Sequence, residues 1–266
     1  MIDRFGRTID YLRISVTDRC NLRCRYCMPP GGLQLLRHED ILSFEEIVDV
    51  ARSAVGLGLA KIRLTGGEPL VRRDIETLVA LLADIKGLAD LAMTTNGLLL
   101  SEYALKLAKA GLRRVNVSLD AIDPDSYATI TRGGDVRRVL AGIEAARLAG
   151  LNPVKINCVL GPNGRDRNAK DVDEYAEREG FEVRFIRRMD LAAGSFGVIE
   201  GGSGGNCPIC NRLRLTSDGQ IRPCLFSDLS FSVRQLGAAE AIMQAVANKP
   251  QAGSTCSNRP IHTIGG

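Results

Sequence analysis

The sequence predicts an α/β fold, an open partial (β/α)6 barrel carrying a C-terminal appendage. Short apolar, β-branched runs alternate with longer amphipathic stretches, the pattern of strands joined by crossover helices around a parallel sheet. The alternation stops after six units, short of the eight that close a barrel, so the sheet stays open and its mouth needs a cover. A glycine-rich stretch, EGGSGGN at 200–206, then leads into a cysteine-bearing region. The expected organisation is a barrel over 1–190, a short flexible linker over 191–206 and a C-terminal region over 207–266.

Taken in order, the strands are YLRISVT (11–17), AKIRLTGG (60–67), DLAMTTN (90–96), RRVNVSLD (113–120), PVKINCVL (153–160) and FEVRFIRRM (181–189). The first long helix is SFEEIVDVARSAVGLG, where Ser43 precedes Glu46 by three residues, apolar residues return at steps of three and four, and Gly58 ends the run. Stretches 74–86, 101–110, 135–149 and 168–179 read the same way. Beyond 207 a turn at TSDGQ precedes an amphipathic helix near 236–247. About sixty residues are too few for an independent core without a metal or a host surface, so this region is expected to cover the barrel mouth.

The chain has 266 residues, 45% hydrophobic and 25% charged, with no 18-residue apolar run and no secretion signal at its start. That excludes a membrane span and leads to the expectation of a cytoplasmic protein. The net charge of +4, from 35 basic and 31 acidic residues, is too mild for a nucleic-acid face but leaves room for small anions. Of eight cysteines, six fall into two tight groups, which favours metal or redox chemistry over disulfides. Cys158, in an apolar strand, and Cys256, in a polar loop, read as a buried filler and an uninvolved thiol. His38 and His262 have no convergent partners.

The first group, Cys20, Cys24 and Cys27 in DRCNLRCRYCMPPGG (18–32), follows the first strand, where barrel enzymes place their reactive parts. Structural zinc favours paired C-x2-C units with four ligands. Three thiolates instead suit a cubane iron–sulfur cluster, with one iron left open to a reactant. The second group, Cys207, Cys210 and Cys224, is spaced C-x2-C-x13-C and flanked by Arg212 and Arg214. Three glycine-bearing or polar motifs sit at successive strand ends: TGGEP (65–69), TTNG (94–97) and SLD (118–120). Basic residues inside apolar strands, Arg13, Arg63 and Lys155, are expensive to bury unless an anion meets them.

The spacing C-x3-C-x2-C with Tyr26 beside its last cysteine, followed by TGGEP, TTNG and SLD, resembles the radical S-adenosylmethionine superfamily. NCPICNRLRLTSDGQIRPCLF (206–226) and the terminal RPIHTIGG (259–266) narrow the resemblance to the GTP 3′,8-cyclase family, also called molybdenum cofactor biosynthesis protein A, over about 1–190 and 206–266. The resemblance implies two [4Fe-4S] clusters, one on Cys20, Cys24 and Cys27, the other on Cys207, Cys210 and Cys224. S-adenosyl-L-methionine would bind at the first among Tyr26, Gly67, Ser118 and Met189. GTP would bind at the second, contacted by Arg13, Arg63, Thr94, Lys155, Arg184, Arg212, Leu213 and Arg214. Gly265 and Gly266, without side chains, would thread into the cavity as a catalytic tail.

The implied reaction removes a hydrogen from C3′ of GTP by a 5′-deoxyadenosyl radical and closes C3′ onto C8. It yields (8S)-3′,8-cyclo-7,8-dihydroguanosine 5′-triphosphate, the first step of molybdopterin (molybdenum cofactor) biosynthesis. Implied partners are an electron donor, the downstream cyclic pyranopterin monophosphate synthase and a second copy in a homodimer; no nucleic acid or membrane partner is implied. The chain departs from the family between RFIRRMDL and NCPIC, an interval roughly forty residues shorter than the family pattern. Arg187 also stands where the family has glutamate. Two other readings stay open: a radical enzyme with an auxiliary cluster acting on a peptide, and an inactive or minimised relative that only binds clusters.

Overall fold

The computed structural model describes residues 1–254 apart from 30, 33, 162–163 and 190–196. In chain order the elements are β1 (Tyr11–Ser15), α1 (Phe44–Gly56), β2 (Lys61–Thr65), α2 (Ile75–Ala83), β3 (Asp90–Thr95) and α3 (Leu100–Lys109). Then come β4 (Arg114–Ser118), α4 (Pro124–Thr131), α5 (Val136–Leu148), β5 (Lys155–Leu160), α6 (Arg167–Glu179) and β6 (Glu182–Arg187). The C-terminal part adds β7 (Arg212–Leu215), β8 (Gln220–Arg222), β9 (Phe231–Ser232), α7 (Val233–Leu236) and α8 (Ala238–Ala247).

All six expected strands form, and β1 to β6 pair with their sequence neighbours in parallel. The capping box of α1 closes as expected: the Glu46 N–H donates to Ser43 Oγ (3.2 Å) and the Ser43 N–H to the Glu46 carboxylate (2.7 Å). Helix α4 was not anticipated. Its start is set by Asp123, whose carboxylate accepts from the Ser126 N–H at 2.8 Å, and by Pro124 in the first turn.

The strands alternate sharply. Leu12, Ile14, Ile62, Leu64, Val115 and Val117 are fully buried in one core with helix residues such as Ile47 and Leu78. Tyr11, Arg13, Arg63, Asn116 and Arg184, one step out of phase, face the other side of the sheet and line a cavity. Among the described residues no helix is long and apolar enough to cross a membrane.

The region after 207 departs from the expected cover. The sheet order is β6-β5-β4-β3-β2-β1-β7-β8-β9, so this region continues the sheet rather than sitting apart from it. β7 pairs in parallel with β1 from Tyr11↔Arg212 to Ile14↔Leu215, and β8 and β9 follow antiparallel. Without β7, β1 would present an unpaired edge beside a dry core. The Asn211 amide reinforces the junction by donating to Asp10 Oδ1 at 2.6 Å, and α8 packs on α1.

Of the expected flexible linker, 191–196 lie outside the described residues, and the rest is ordered by its own hydrogen bonds. Within 197–205 the Ile199 N–H donates to Gly204 O (2.8 Å) and the Gly202 N–H to Ile199 O (3.2 Å). Gly205 has φ +79, and a Cβ there would lie 2.2 Å from Gly197 O, so this stretch is a closed turn that only glycine fits.

Leu213 has no exposure, and its side chain lies in the core facing away from the cavity. The Leu213→Ala chain should lose about 2–5 kcal/mol of stability, the cost of emptying a buried leucine. Denaturant unfolding measures it, and an unchanged midpoint would show that β7 is not part of the core.

Candidate functional site

A cavity of about 700 Å³ touches residues of all seven parallel strands, β1 to β7. A sheet that meets one cavity along seven strands is curled around it. Barrel interiors of this kind are normally filled by branched apolar side chains; here arginine, asparagine, serine and threonine take those positions, which marks the space as a polar ligand site.

Cys20, Cys24 and Cys27 lie on the loop after β1 and line the cavity. Cys24 O accepts from the N–H groups of Cys27 (3.0 Å) and Met28 (2.9 Å), winding this stretch into one turn. The TGGEP loop zips onto the same segment: the Gly67 N–H donates to Thr17 O and the Glu68 N–H to Arg19 O, both at 2.8 Å. A Cβ on Gly67 would lie 2.3 Å from Arg19 O, so the close approach requires glycine. On the other flank, buried Asp18 accepts from the Leu36 N–H (2.6 Å) and from Arg19 (2.9 Å).

The surroundings of these thiols are acidic. Burial, then Asp120 and the neighbouring thiols, push Cys24 up to about 12; burial and Cys20 push Cys27 up to about 11. Cys20 is raised as well, by burial first. Asp120 itself, pushed up to about 6 by burial, accepts from Tyr26 Oη (2.7 Å) and the Val159 N–H (2.8 Å). Glu68, pushed up to about 7 by burial, accepts from Thr95 Oγ1 and the Asn96 N–H, both at 2.6 Å.

Cys207, Cys210 and Cys224 line the same cavity, in basic surroundings. Burial alone would raise Cys210, but the Lys249 and Arg212 cations bring it down to about 7. No three cysteine, histidine or carboxylate groups among the described residues converge on a single metal-ion position. Three thiols contributed from one loop, as in the first set, are a donor set that fits a cubane cluster, in which each thiolate holds a different iron.

Arginines in register form a row across this part of the sheet. Register places Arg13 beside Arg63 on one side and Arg214 on the other, and Arg214 beside Arg222. Partners in register share a face, so four arginines stand abreast on four adjacent strands. Burial and the neighbouring arginines hold Arg13 well below its ordinary value, and burial with Arg212 lowers Arg214 to about 10. Arg184 is lowered by burial and by Arg63. Like charges crowded out of water are costly, and an anion in the cavity would relieve that cost. Arg63 is oriented by Tyr11 Oη and donates to Thr94 Oγ1 at 3.3 Å.

Most of the expected site residues meet in this cavity. Tyr26, Gly67, Ser118, Met189, Arg13, Arg63, Thr94, Arg184, Arg212 and Arg214 all line it; Met189 packs with Cys224 against Leu225 and Phe226, beside the second thiol set and not the first. Two side chains do not join them. Lys155 lies in register with Glu182 on the next strand and forms an ion pair with it, which takes up its charge without any anion. Leu213 lies in the apolar core, on the face of β7 opposite Arg212 and Arg214. Gly265 and Gly266 lie outside the described residues. Sequence reasoning singled out neither Glu68 nor Asp120, although both stand inside quoted motifs, and it missed Tyr11, whose place two residues before Arg13 on an alternating strand was a usable signal.

Comparison with known proteins agrees with this architecture. Residues 14–176 match the family model described as the Radical SAM superfamily, and the chain is a member of that superfamily. Residues 166–255 match the model described as Molybdenum Cofactor Synthesis C, a unit that begins in α6 and not at 207. The GTP 3′,8-cyclase of Moorella thermoacetica is 43% identical, covering 92% of this chain and 91% of that one. That of Petrotoga mobilis is 41% identical, covering 88% and 86%. That of Thermodesulfovibrio yellowstonii is 40% identical over the whole of both chains. The chain belongs to the GTP 3′,8-cyclase family. The last comparison runs over 322 positions against 266 residues here, so at least 56 of its positions fall opposite gaps in this chain. Among solved structures, native anSMEcpe with bound AdoMet has a TM-score of 0.65 at 16% identity, covering 91% of this chain and 81% of that one. Streptococcus suis SuiB bound to S-adenosylmethionine has 0.62 at 16%, covering 92% and 65%. These likenesses establish the fold.

If the arginine row is strained by its own charge, Arg13→Met should raise the melting temperature of the ligand-free chain and reduce the stabilisation that inorganic triphosphate confers. Thermal melts with and without triphosphate read both quantities. A lower ligand-free melting temperature with undiminished triphosphate stabilisation would contradict the anion role.

Proposed function

We propose that the chain carries out the reaction of its family, the conversion of GTP to (8S)-3′,8-cyclo-7,8-dihydroguanosine 5′-triphosphate. The observation that carries this reading is that Arg13, Arg63, Arg184, Arg212 and Arg214 line a single cavity together with both thiol sets. A peptide substrate would not need these arginines.

Cys20, Cys24 and Cys27 would hold the first iron–sulfur cluster, which would supply the electron for reductive cleavage of S-adenosyl-L-methionine. Gly67 in its loop and Ser118 at the end of β4 would receive that molecule, with Tyr26 held in place by Asp120; Met189, beside Cys224, would reach it only from the side of the second thiol set. Arg13, Arg63 and Arg214 would grip the triphosphate, Arg184 and Arg212 would flank it, and Thr94, oriented by Arg63, would fix the ribose side. The guanine base would face a second cluster on Cys207, Cys210 and Cys224. Such fixed placement of two reactants in a site that excludes water is what radical chemistry requires. Balance requires two electrons: one for the cleavage, and one, with a proton, to quench the nucleotide radical once the C3′–C8 bond has formed. An external electron donor is therefore a partner, and an enzyme of molybdenum cofactor synthesis consumes the product. Lys155 and Leu213 have no part in substrate contact in this reading.

The test is anaerobic reconstitution followed by incubation with GTP, S-adenosyl-L-methionine and a reductant. The chain should hold about eight irons in two clusters, without tightly bound zinc. Cys24→Ser should abolish 5′-deoxyadenosine release, whereas Cys210→Ser should keep that release uncoupled from the nucleotide and lose the cyclised product. Identical behaviour of the two variants would refute the division between the sets.

Gly265 and Gly266 are proposed to enter the cavity from the C-terminus, where a residue with a side chain would collide. Their deletion should leave iron content and GTP affinity intact and stop cyclised product. Unchanged product formation in the truncated chain would remove the tail from the mechanism.

A further inference from the structure

The second thiol set is held by two buried cations that the reaction described above leaves without a part. Lys249, just beyond α8, is 1% exposed, an unusual position for a lysine unless its ammonium is hydrogen-bonded and faces negative charge. Its Nζ donates to Arg212 O (2.7 Å) and Pro223 O (2.5 Å). Those carbonyls belong to the residue two places after Cys210 and the residue before Cys224, so one ammonium joins the two chain segments that carry the ligands. Lys249 also lines the cavity. Burial holds it below its ordinary value, and attraction to Cys210 and Cys224 opposes that shift.

Arg7 braces the same arrangement from outside. Its guanidinium donates to Cys207 O and Gln251 O, both at 3.0 Å, and to Pro250 O at 2.7 Å, while its Nε pairs with Asp3 at 2.7 Å. The 249–251 segment is thereby tied to the first cysteine of the set. At the first thiol set the nearby buried charges are carboxylates, Asp120 and Glu68.

We propose that Lys249 is a positioning residue of the second thiol set: its ammonium fixes the separation of Cys210 and Cys224 through the two carbonyls, and its charge stabilises the reduced, more negative state of the cluster they hold. This inference rests on the second-cluster reading given above.

The full chain, Lys249→Met and Lys249→Gln are reconstituted anaerobically. Iron per chain, the rate of iron removal by a chelator, and the midpoint potential of each cluster are then measured. In Lys249→Met the first cluster should keep its iron and signal, while second-cluster iron leaves about tenfold faster, the size of effect expected for a lost outer-sphere partner. Lys249→Gln keeps an N–H donor without the charge and serves as well if the Met chain does not fold. It should hold iron more nearly as the unaltered chain does, yet shift the second cluster's potential to more negative values. Unaltered chelation rate and second-cluster potential in the folded variants overturn the proposal, as does parallel loss of both clusters, which marks general packing. An unaltered chain holding only about four irons overturns the second-cluster reading and this proposal with it.

Discussion

β1 pairs in parallel with β2 on one side and with β7 on the other, and the site depends on that double pairing. One edge brings the TGGEP loop against the first cysteine loop. The other brings Arg212, Arg214 and the second cysteine set, some two hundred residues later in the chain, onto the same cavity. Neither half encloses a site alone: the first lacks the Arg214 flank and the basic thiols, and the second lacks a sheet to extend.

Within that frame the electrostatics divide the cavity. Burial, with nearby carboxylates, pushes the first thiols up, whereas Lys249 and Arg212 bring Cys210 down. The arginines stand on adjacent strands, ~4.8 Å apart in a sheet. At an effective dielectric of about 20, unit charges at that spacing repel by roughly 3 kcal/mol per pair. An anion bound among them would replace this repulsion with attraction, which is the basis on which the row is proposed to hold a triphosphate. The polar inner face of the sheet is thus a departure from barrel packing with a chemical purpose.

The strands and long helices were legible because apolar alternation and capping are local. Arg13 and Arg63 were legible because a basic residue in an apolar strand demands a reason. The same rule misled at Lys155, whose reason is Glu182, directly across on β6; cross-strand register does not appear in a single sequence. β7 was hidden for a related cause: a four-residue strand before TSDGQ reads as half of a hairpin, and nothing local announces a parallel partner near the N-terminus. Alternation in RLRL could have turned Leu213 toward the core. Glu68 and Asp120 acquire their character from burial, and Arg7 and Lys249 from contacts with distant carbonyls, so no pattern in the chain marks them. EGGSGGN has a linker's composition but folds as a turn, because φ values and close approaches, not glycine content, decide what glycine does.

The antiparallel bridge between Phe185 and Glu200, two hydrogen bonds of 3.2 Å, pins both ends of the interval in which this chain is expected to be shorter than its family. With its ends fixed, a segment can change length at a cost that grows only with the logarithm of its size, about 0.6 kcal/mol per doubling. Segment length there is therefore nearly neutral for the fold. A change of length between these two anchors would leave β6, and the Arg184 it carries to the cavity, in register with β5.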